Sequence, residues 1–191
     1  MIPLIRLFLI TFLLLVIPAC TNQPTLPVLG EVGNFSLTER SGSVITSEDL
    51  KGEVWVANFI FTRCGGPCPR MTAELASFQK KIGPRPGLQW VSFTVDPTVD
   101  TPELLTSYAN KYGADPQSWL FLTGELEPLY NLIKNGFKLG VGPAPNPDEL
   151  IVHSTKIVLV DKQGKIRSYL SHFEDTTLGT LQKQIDTLLA E

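Results

Sequence analysis

Cys64 and Cys68, four residues apart in the run CGGPC, are the residues of this sequence best suited to carry chemistry. They stand between a predicted strand and a predicted helix, where unpaired backbone N–H groups and the helix dipole favour thiolate over thiol. Soft thiolates select copper(I) over harder metals, and the loop is one residue longer than Cys-x-x-Cys, which leaves room for a metal between the sulfurs. A redox pair and a plain structural disulfide are the alternatives. Zinc is disfavoured because its structural sites need four ligands.

The elements around the cysteines predict an α/β sheet. EVWVANFIF is a near-continuous apolar run typical of a strand buried on both faces, and MTAELASFQKKIG, which follows the cysteines, has helical periodicity. Two strand-and-helix pairs come next, then a hairpin of KIVLV and KIRSYL and a helix from about Thr176 to Leu189. With an N-terminal hairpin turning at Ser41-Gly42, this order predicts a thioredoxin-like fold, a central mixed sheet flanked by helices.

A third metal ligand would have to be one of the two histidines, His153 and His172. In a thioredoxin-like sheet the first strand of the last hairpin lies antiparallel beside the strand that delivers the cysteines. His153 stands three residues before that strand, whereas His172 follows the edge strand of the hairpin. A strand spacing of about 4.8 Å puts His172 further away. Topology therefore favours His153, and a hydrogen-bonded or solvent-exposed loop histidine is the alternative for both.

Asp96 and Asp100, in VDPTVDTPELL, follow the second central strand at the end of the sheet predicted to carry the cysteines. Such carboxylates can support a metal site by orienting its ligands. Their structural interpretation is also strong, since Asp96 precedes a proline turn and Asp100 or Thr101 caps the next helix. Of the two carboxylates, we favour Asp96 for the supporting role.

Residues 1–19 have the pattern of a lipoprotein-type signal peptide, with an early arginine and an apolar run from Leu7 to Ile17. That run is too short to cross a membrane, which takes about 20 helical residues. Cys20 is the predicted lipidation site, although Pro18 is unusual there, and ordinary cleavage or an uncleaved anchor are the alternatives. Residues 20–33 then form the lipid anchor and tether of an exported, membrane-anchored lipoprotein that faces the periplasm or cell exterior, and residues 34–191 form the thioredoxin-like copper-binding domain.

Three blocks occur in order over about Asn58 to Tyr169: NFIFTRCGGPCPRM, TVDPTVDTPELLTSY and HSTKIVLVDKQGKIRSY. Together they resemble the Sco/SenC family of copper-binding cytochrome c oxidase assembly proteins. The resemblance implies copper bound by Cys64, Cys68 and His153, a cysteine pair that is redox-active and forms a disulfide when oxidised, and a role in maturing the binuclear copper centre of the oxidase. Gly65 departs from the family, which usually has proline there, and could alter redox potential or metal geometry without removing a ligand.

Two functions share these residues. The favoured one is a copper metallochaperone that delivers copper to the copper-bearing subunit of cytochrome c oxidase, with other copper chaperones as further partners and the Gly/Pro loop 136–152 adapting to them. The alternative is a membrane-tethered thiol-disulfide oxidoreductase in which Cys64 attacks and Cys68 resolves. A thiol peroxidase is disfavoured because Phe61-Thr62-Arg63 replace the peroxiredoxin pattern, and a binding module with an inert disulfide is the last alternative.

The charge of the chain gives no reason to expect a nucleic acid partner. Lysine and arginine total 16 against 19 aspartate and glutamate, which gives a net charge of −3. No basic run of five or more residues occurs along the chain. We therefore predict no nucleic acid among the partners of this protein.

Overall fold

The structure is a computed structural model that describes residues 25–144, 151–172 and 174–191. The predicted signal peptide and Cys20 lie outside the described residues. Four helices are α1 (Pro67–Ile82), α2 (Pro102–Tyr112), α3 (Leu126–Asn131), which a π-helical segment (Leu132–Gly136) continues, and α4 (Thr177–Ala190). The strands are β1 (Gly30–Glu31), β2 (Ser36–Glu39), β3 (Val44–Thr46), β4 (Val54–Ile60), β5 (Leu88–Thr94), β6 (Trp119–Thr123), β7 (Val141–Pro143), β8 (Ile151–His153), β9 (Lys156–Val160) and β10 (Lys165–Ser171).

Eight of these strands form one mixed sheet in the order β1-β10-β9-β4-β5-β6-β2-β3. β4, β5 and β6 are parallel because α1 and α2 return the chain to the start of each next strand. β9 lies antiparallel beside β4, with Ala57 opposite Val158. All of β4 is buried, as its apolar run predicts. The predicted mixed sheet and N-terminal hairpin are confirmed, the hairpin being β2 and β3.

The core lies on both faces of the central strands. On one face Trp90 of β5 packs edge-on against Phe78 of α1, with ring centroids 6.0 Å apart. Phe59 of β4 lies on the opposite face, because side chains alternate along a strand, and contacts Phe137 at 5.0 Å. Phe137 directly follows the π-helical segment. Helical segments therefore pack on both faces of the central strands, of which β4 leads into the cysteines.

The segment assigned to the tether joins the sheet earlier than predicted. Gly30 pairs with Ile166 of β10, so the sheet begins before residue 34. The Arg167 guanidinium also donates to the Leu26 carbonyl oxygen, with Nη2 at 2.5 Å. A strand of two residues is too short to show an alternating pattern. The Gly- and Pro-rich composition of this segment therefore predicted a linker. Among the described residues there is no helix long and apolar enough to span a bilayer.

The described parts of the Gly/Pro loop 136–152 carry regular structure that the sequence did not predict. β7 and β8 form a separate antiparallel ribbon in which Val141 lies opposite His153. Each strand has three residues, too few for an alternating pattern to be recognised. The ribbon matters for function because β8 ends on His153, one of the candidate ligands.

Candidate metal centre

Cys64 and Cys68 lie where the buried strand β4 gives way to α1. Gly66 is the N-cap of α1, and Pro67 occupies the first helical position, where its missing N–H has no helical partner to lose. Cys68 points inward and is 0% exposed, whereas Cys64 is half-buried at the mouth of the loop. Both are free thiols. The pair is therefore asymmetric, with one accessible sulfur and one enclosed.

At Cys68, burial opposes the thiolate that the helix N-terminus is predicted to favour. Burial, and next the adjacent Cys64 thiol, raise the pKa of the Cys68 thiol well above its ordinary value. A helix N-terminus supplies only about half a unit charge, which does not offset the loss of water around a buried thiolate. Cys68 therefore keeps its proton in the reduced, metal-free protein.

His153 faces the buried sulfur. Its Nε2 lies 3.3 Å from Cys68 Sγ, and its Nδ1 lies 3.0 Å from the Ser154 carbonyl oxygen. A carbonyl oxygen can only accept, so Nδ1 carries the proton and Nε2 turns its lone pair towards the sulfur. Phe61 packs edge-on against the imidazole with ring centroids 5.6 Å apart. Burial lowers the pKa of His153, which keeps the ring neutral and able to bind a metal.

His172 lies elsewhere. Its Nε2 is 3.5 Å from Glu74 Oε2, on α1 beyond the first turn that carries Cys68. The imidazole is enclosed, and burial lowers the pKa of His172. The structure thus brings His153, and not His172, to the cysteine pair, as the topology of the last hairpin predicts.

Stability is expected to fall as the pH drops below about 6.5, and His172 should cause part of this loss. Its folded pKa lies below the ordinary value of 6.5, so between the two values the unfolded chain binds a proton that the folded protein does not. Unfolding then becomes easier by up to about 1.4 kcal/mol per pH unit, and the loss ends below the folded pKa. Urea unfolding of the wild type and His172→Gln at about pH 7.5 and 5.5 measures this. An equally steep pH dependence in the variant would contradict it.

Asp96 reaches the cysteines only through Arg63. Its Oδ2 accepts from Arg63 Nη2 at 2.6 Å and from Nε at 3.1 Å, while its Oδ1 accepts from the Thr98 hydroxyl. The carboxylate is almost fully buried, and the Arg63 side chain is 47% exposed beside Cys64. Asp96 therefore orients the guanidinium of the residue that precedes Cys64 and lines the same cleft.

Asp100 does more than the sequence indicates. The helix cap is Thr101, whose hydroxyl accepts from the Leu104 N–H. Asp100 is 0% exposed and accepts hydrogen bonds from Thr62 and Thr94. Burial raises the pKa of the Asp100 carboxyl. The sequence signal was available in retrospect, since Thr62 follows β4 by two residues and Thr94 ends the neighbouring strand β5. Only the register of the two strands shows that both threonines lie next to Asp100.

A cleft of about 530 Å³ opens over the site. Cys64 and His153 line it together with Phe61, the Gly65–Pro67 turn and residues of β8, and Arg63 is the charged residue among the described lining residues. Val152 of β8 is 46% exposed at this rim. The half-buried Cys64 therefore lines a cleft large enough to admit a side chain of a partner molecule.

The donor types fit a soft metal, although the ligands are not assembled. Within residues 25–144, 151–172 and 174–191 no group of three or more His, Cys, Asp or Glu side chains converges at metal-binding spacing. Cys68 and His153 form a two-donor pair, and Cys64 stands at the open side. Two sulfurs and one neutral imidazole suit copper better than harder ions.

Fold and site together define a thioredoxin-like protein in which a cysteine pair at a strand-to-helix junction faces a histidine. The family model described as SCO1/SenC matches residues 26–190. The chain therefore belongs to the SCO1/SenC family, as the three sequence blocks indicated.

Solved structures share this fold. A SCO1/SenC family lipoprotein from Bacillus anthracis str. Ames is 34% identical, with a TM-score of 0.75 over 85% of this chain and 96% of that chain. BsSco, a member of the Sco family of cytochrome c oxidase assembly proteins with an identified disulfide switch, is 31% identical, with a TM-score of 0.77 over 88% and 99%. Yeast Sco1 with copper bound is 26% identical, with a TM-score of 0.67 over 84% and 90%. The predicted thioredoxin-like fold is confirmed.

Proposed function

We propose that this protein binds copper as a cargo through Cys64, Cys68 and His153 and assists assembly of the copper centre of cytochrome c oxidase. The carrying observation is the 3.3 Å approach of His153 Nε2 to Cys68 Sγ with Nδ1 engaged by Ser154. Yeast Sco1 has been solved with copper, and BsSco is described as an oxidase assembly protein, which supports the same role here.

Binding begins from an incomplete site. Copper replaces the proton of Cys68, whose pKa is raised by burial, so that uptake releases a proton and becomes more favourable as the pH rises. Cys64, half-buried at the mouth, then closes the site as the third donor. Because Cys64 faces the cleft, an acceptor ligand can displace this sulfur first, which gives a route for copper to leave. Asp96 supports the site by holding the side chain of Arg63, the residue before Cys64 and a lining residue of the same cleft.

The proposal is tested in cells by deleting the gene and measuring cytochrome c oxidase activity in membranes. We expect activity to fall, and to be restored by the wild-type gene but not by Cys64→Ser or Cys68→Ser. His172→Gln is the matched histidine control and should restore activity. Full oxidase activity in the deletion strain at limiting copper would contradict the proposal.

Thiol-disulfide exchange is the second candidate, and the asymmetry of the two sulfurs favours it. Cys64 thiolate would attack a disulfide of the acceptor, forming a mixed disulfide, and Cys68 would then attack Cys64 Sγ. The products are a Cys64–Cys68 disulfide and two acceptor thiols, so a further thiol reductant must regenerate the protein. Restoration of oxidase activity by His153→Ala, with loss in both cysteine variants, would favour this function over copper delivery.

The location of the protein is part of the proposal. A lipid on Cys20 would tether the domain to the membrane that holds the oxidase and raise its effective concentration there. The B. anthracis relative is described as a lipoprotein, which supports an exported, membrane-anchored protein facing the periplasm or cell exterior. Labelling with a fatty-acid analogue should mark the wild type and not Cys20→Ser.

A further inference from the structure

We infer that Asp100 is a positioning residue that fixes the cysteine loop through Thr62. Its Oδ1 accepts from the Thr62 hydroxyl at 2.5 Å, and its Oδ2 accepts from the Thr62 backbone N–H at 3.1 Å. Thr62 lies two residues after β4 and two residues before Cys64. The inference rests on the proposed function for the identity of the bound metal, but the placement of Cys64 can be measured without metal.

One carboxylate joins the ends of two neighbouring strands. Besides Thr62, Asp100 Oδ2 accepts from the Thr94 hydroxyl at 2.5 Å. Thr94 ends β5 opposite Ile60, the last residue of β4. The carboxylate therefore ties the start of the cysteine loop to the adjacent strand, at the point where β4 stops being held by sheet hydrogen bonds.

This arrangement suits a carboxylate specifically. A buried ionised group is costly unless hydrogen bonds satisfy it, and the recorded donors to Asp100 are three neutral groups. Repulsion from Asp96 adds to the cost. Asparagine has the same shape, but its NH2 group would replace one acceptor oxygen, so that a donor would then face the threonine donors. The chain keeps an acceptor-only side chain here, and two of these three donors belong to Thr62, at the start of the loop that leads to Cys64.

Little else restrains that loop. Cys64 N–H donates to the Phe61 carbonyl oxygen at 3.2 Å, and Arg63 is held by Asp96. Gly65 and Gly66 follow, and both are exposed. Misplacement by about 1 Å is enough to impair a functional site, so release of Thr62 should move Cys64 relative to Cys68 and His153.

The test compares two isosteric changes in the full-length protein, Thr62→Val and Thr94→Val. Each removes one hydroxyl donor to the same carboxylate, but only Thr62 leads into the cysteine loop. Thr94 also accepts from the Asp96 N–H, so its loss is the harsher change for the fold. We measure copper(I) affinity by competition with a chromophoric chelator, and the rate of Cys64 alkylation in the metal-free protein.

Thr62→Val should weaken copper(I) binding about 10-fold, as for other groups that orient metal ligands, and should change the alkylation rate of Cys64. Thr62→Ser, which keeps the hydroxyl, should restore both values, and Thr94→Val, which leaves both Thr62 donors on Asp100 in place, should change both values less than Thr62→Val does. Equal effects of Thr62→Val and Thr94→Val, or none from Thr62→Val, would overturn the inference. If the wild type fails to bind copper, the proposed function fails, and the alkylation rates still decide the role of Asp100.

Discussion

Replacing His153 by alanine is expected to weaken copper(II) binding by at least about 100-fold, beyond the 10–100-fold cost of losing a group that merely orients a ligand. The imidazole is neutral and its Nε2 already points at Cys68 Sγ from 3.3 Å. Removing it leaves two sulfurs, which suit copper(I) better than copper(II). Binding of copper(I) should therefore decline less than binding of copper(II).

His172→Gln is the control for this experiment, because His172 is the other histidine of the chain and pairs with Glu74 away from the cysteines. Affinity is obtained from copper titrations of the reduced protein in the presence of a competing chelator. His172→Gln should bind both oxidation states as the wild type does. If His153→Ala keeps the wild-type copper(II) affinity, the histidine is not a ligand and the site must be assigned differently.

Cys64 is expected to react with an alkylating agent at least about 100-fold faster than Cys68, because each unit by which a thiol pKa rises removes nine-tenths of its thiolate. Burial raises the pKa of Cys68 and also blocks access, since the residue is 0% exposed. Cys64 sits in the cleft. Mass spectrometry of the reduced, metal-free protein after brief alkylation near neutral pH gives the two rates.

Single variants separate the two thiols in that experiment. Cys68→Ser should be modified quickly and Cys64→Ser slowly. Unfolding in urea should bring the two cysteines to similar rates, which shows that the folded structure causes the difference. Rapid modification of Cys68 in folded Cys64→Ser protein would mean that the sulfur is not enclosed, and the assignment of attacking and resolving cysteines would lose its basis.

Long apolar runs made the centre of the fold predictable. The run at β4 is buried throughout and must lie between helices, which places the cysteines at a strand-to-helix junction. Pairing of β9 beside β4 then brings His153 to the same edge. These predictions depend on hydrophobic periodicity, which the sequence shows directly. They also depend on the small number of ways in which consecutive strands and helices can be connected.

Short-range pattern could not reveal the features that depend on register. β7 and β8 have three residues each, and β1 has two. Asp100 and its partner Thr62 are 38 positions apart, and they become neighbours only through the alignment of β4 with β5. The raised pKa of Cys68 could not be predicted either, because the sequence shows the helix N-terminus but does not show how deeply the thiol is buried.

Copper titration of the reduced full-length protein tests the central claim most directly. Addition of copper(II) under anaerobic conditions should give one copper per protein together with intense visible charge-transfer bands from thiolate coordination, since the proposed ligands are Cys64, Cys68 and His153. Both the bands and the stoichiometry should be lost in Cys68→Ser. A wild-type protein that holds no stoichiometric copper and shows no such bands would contradict the account.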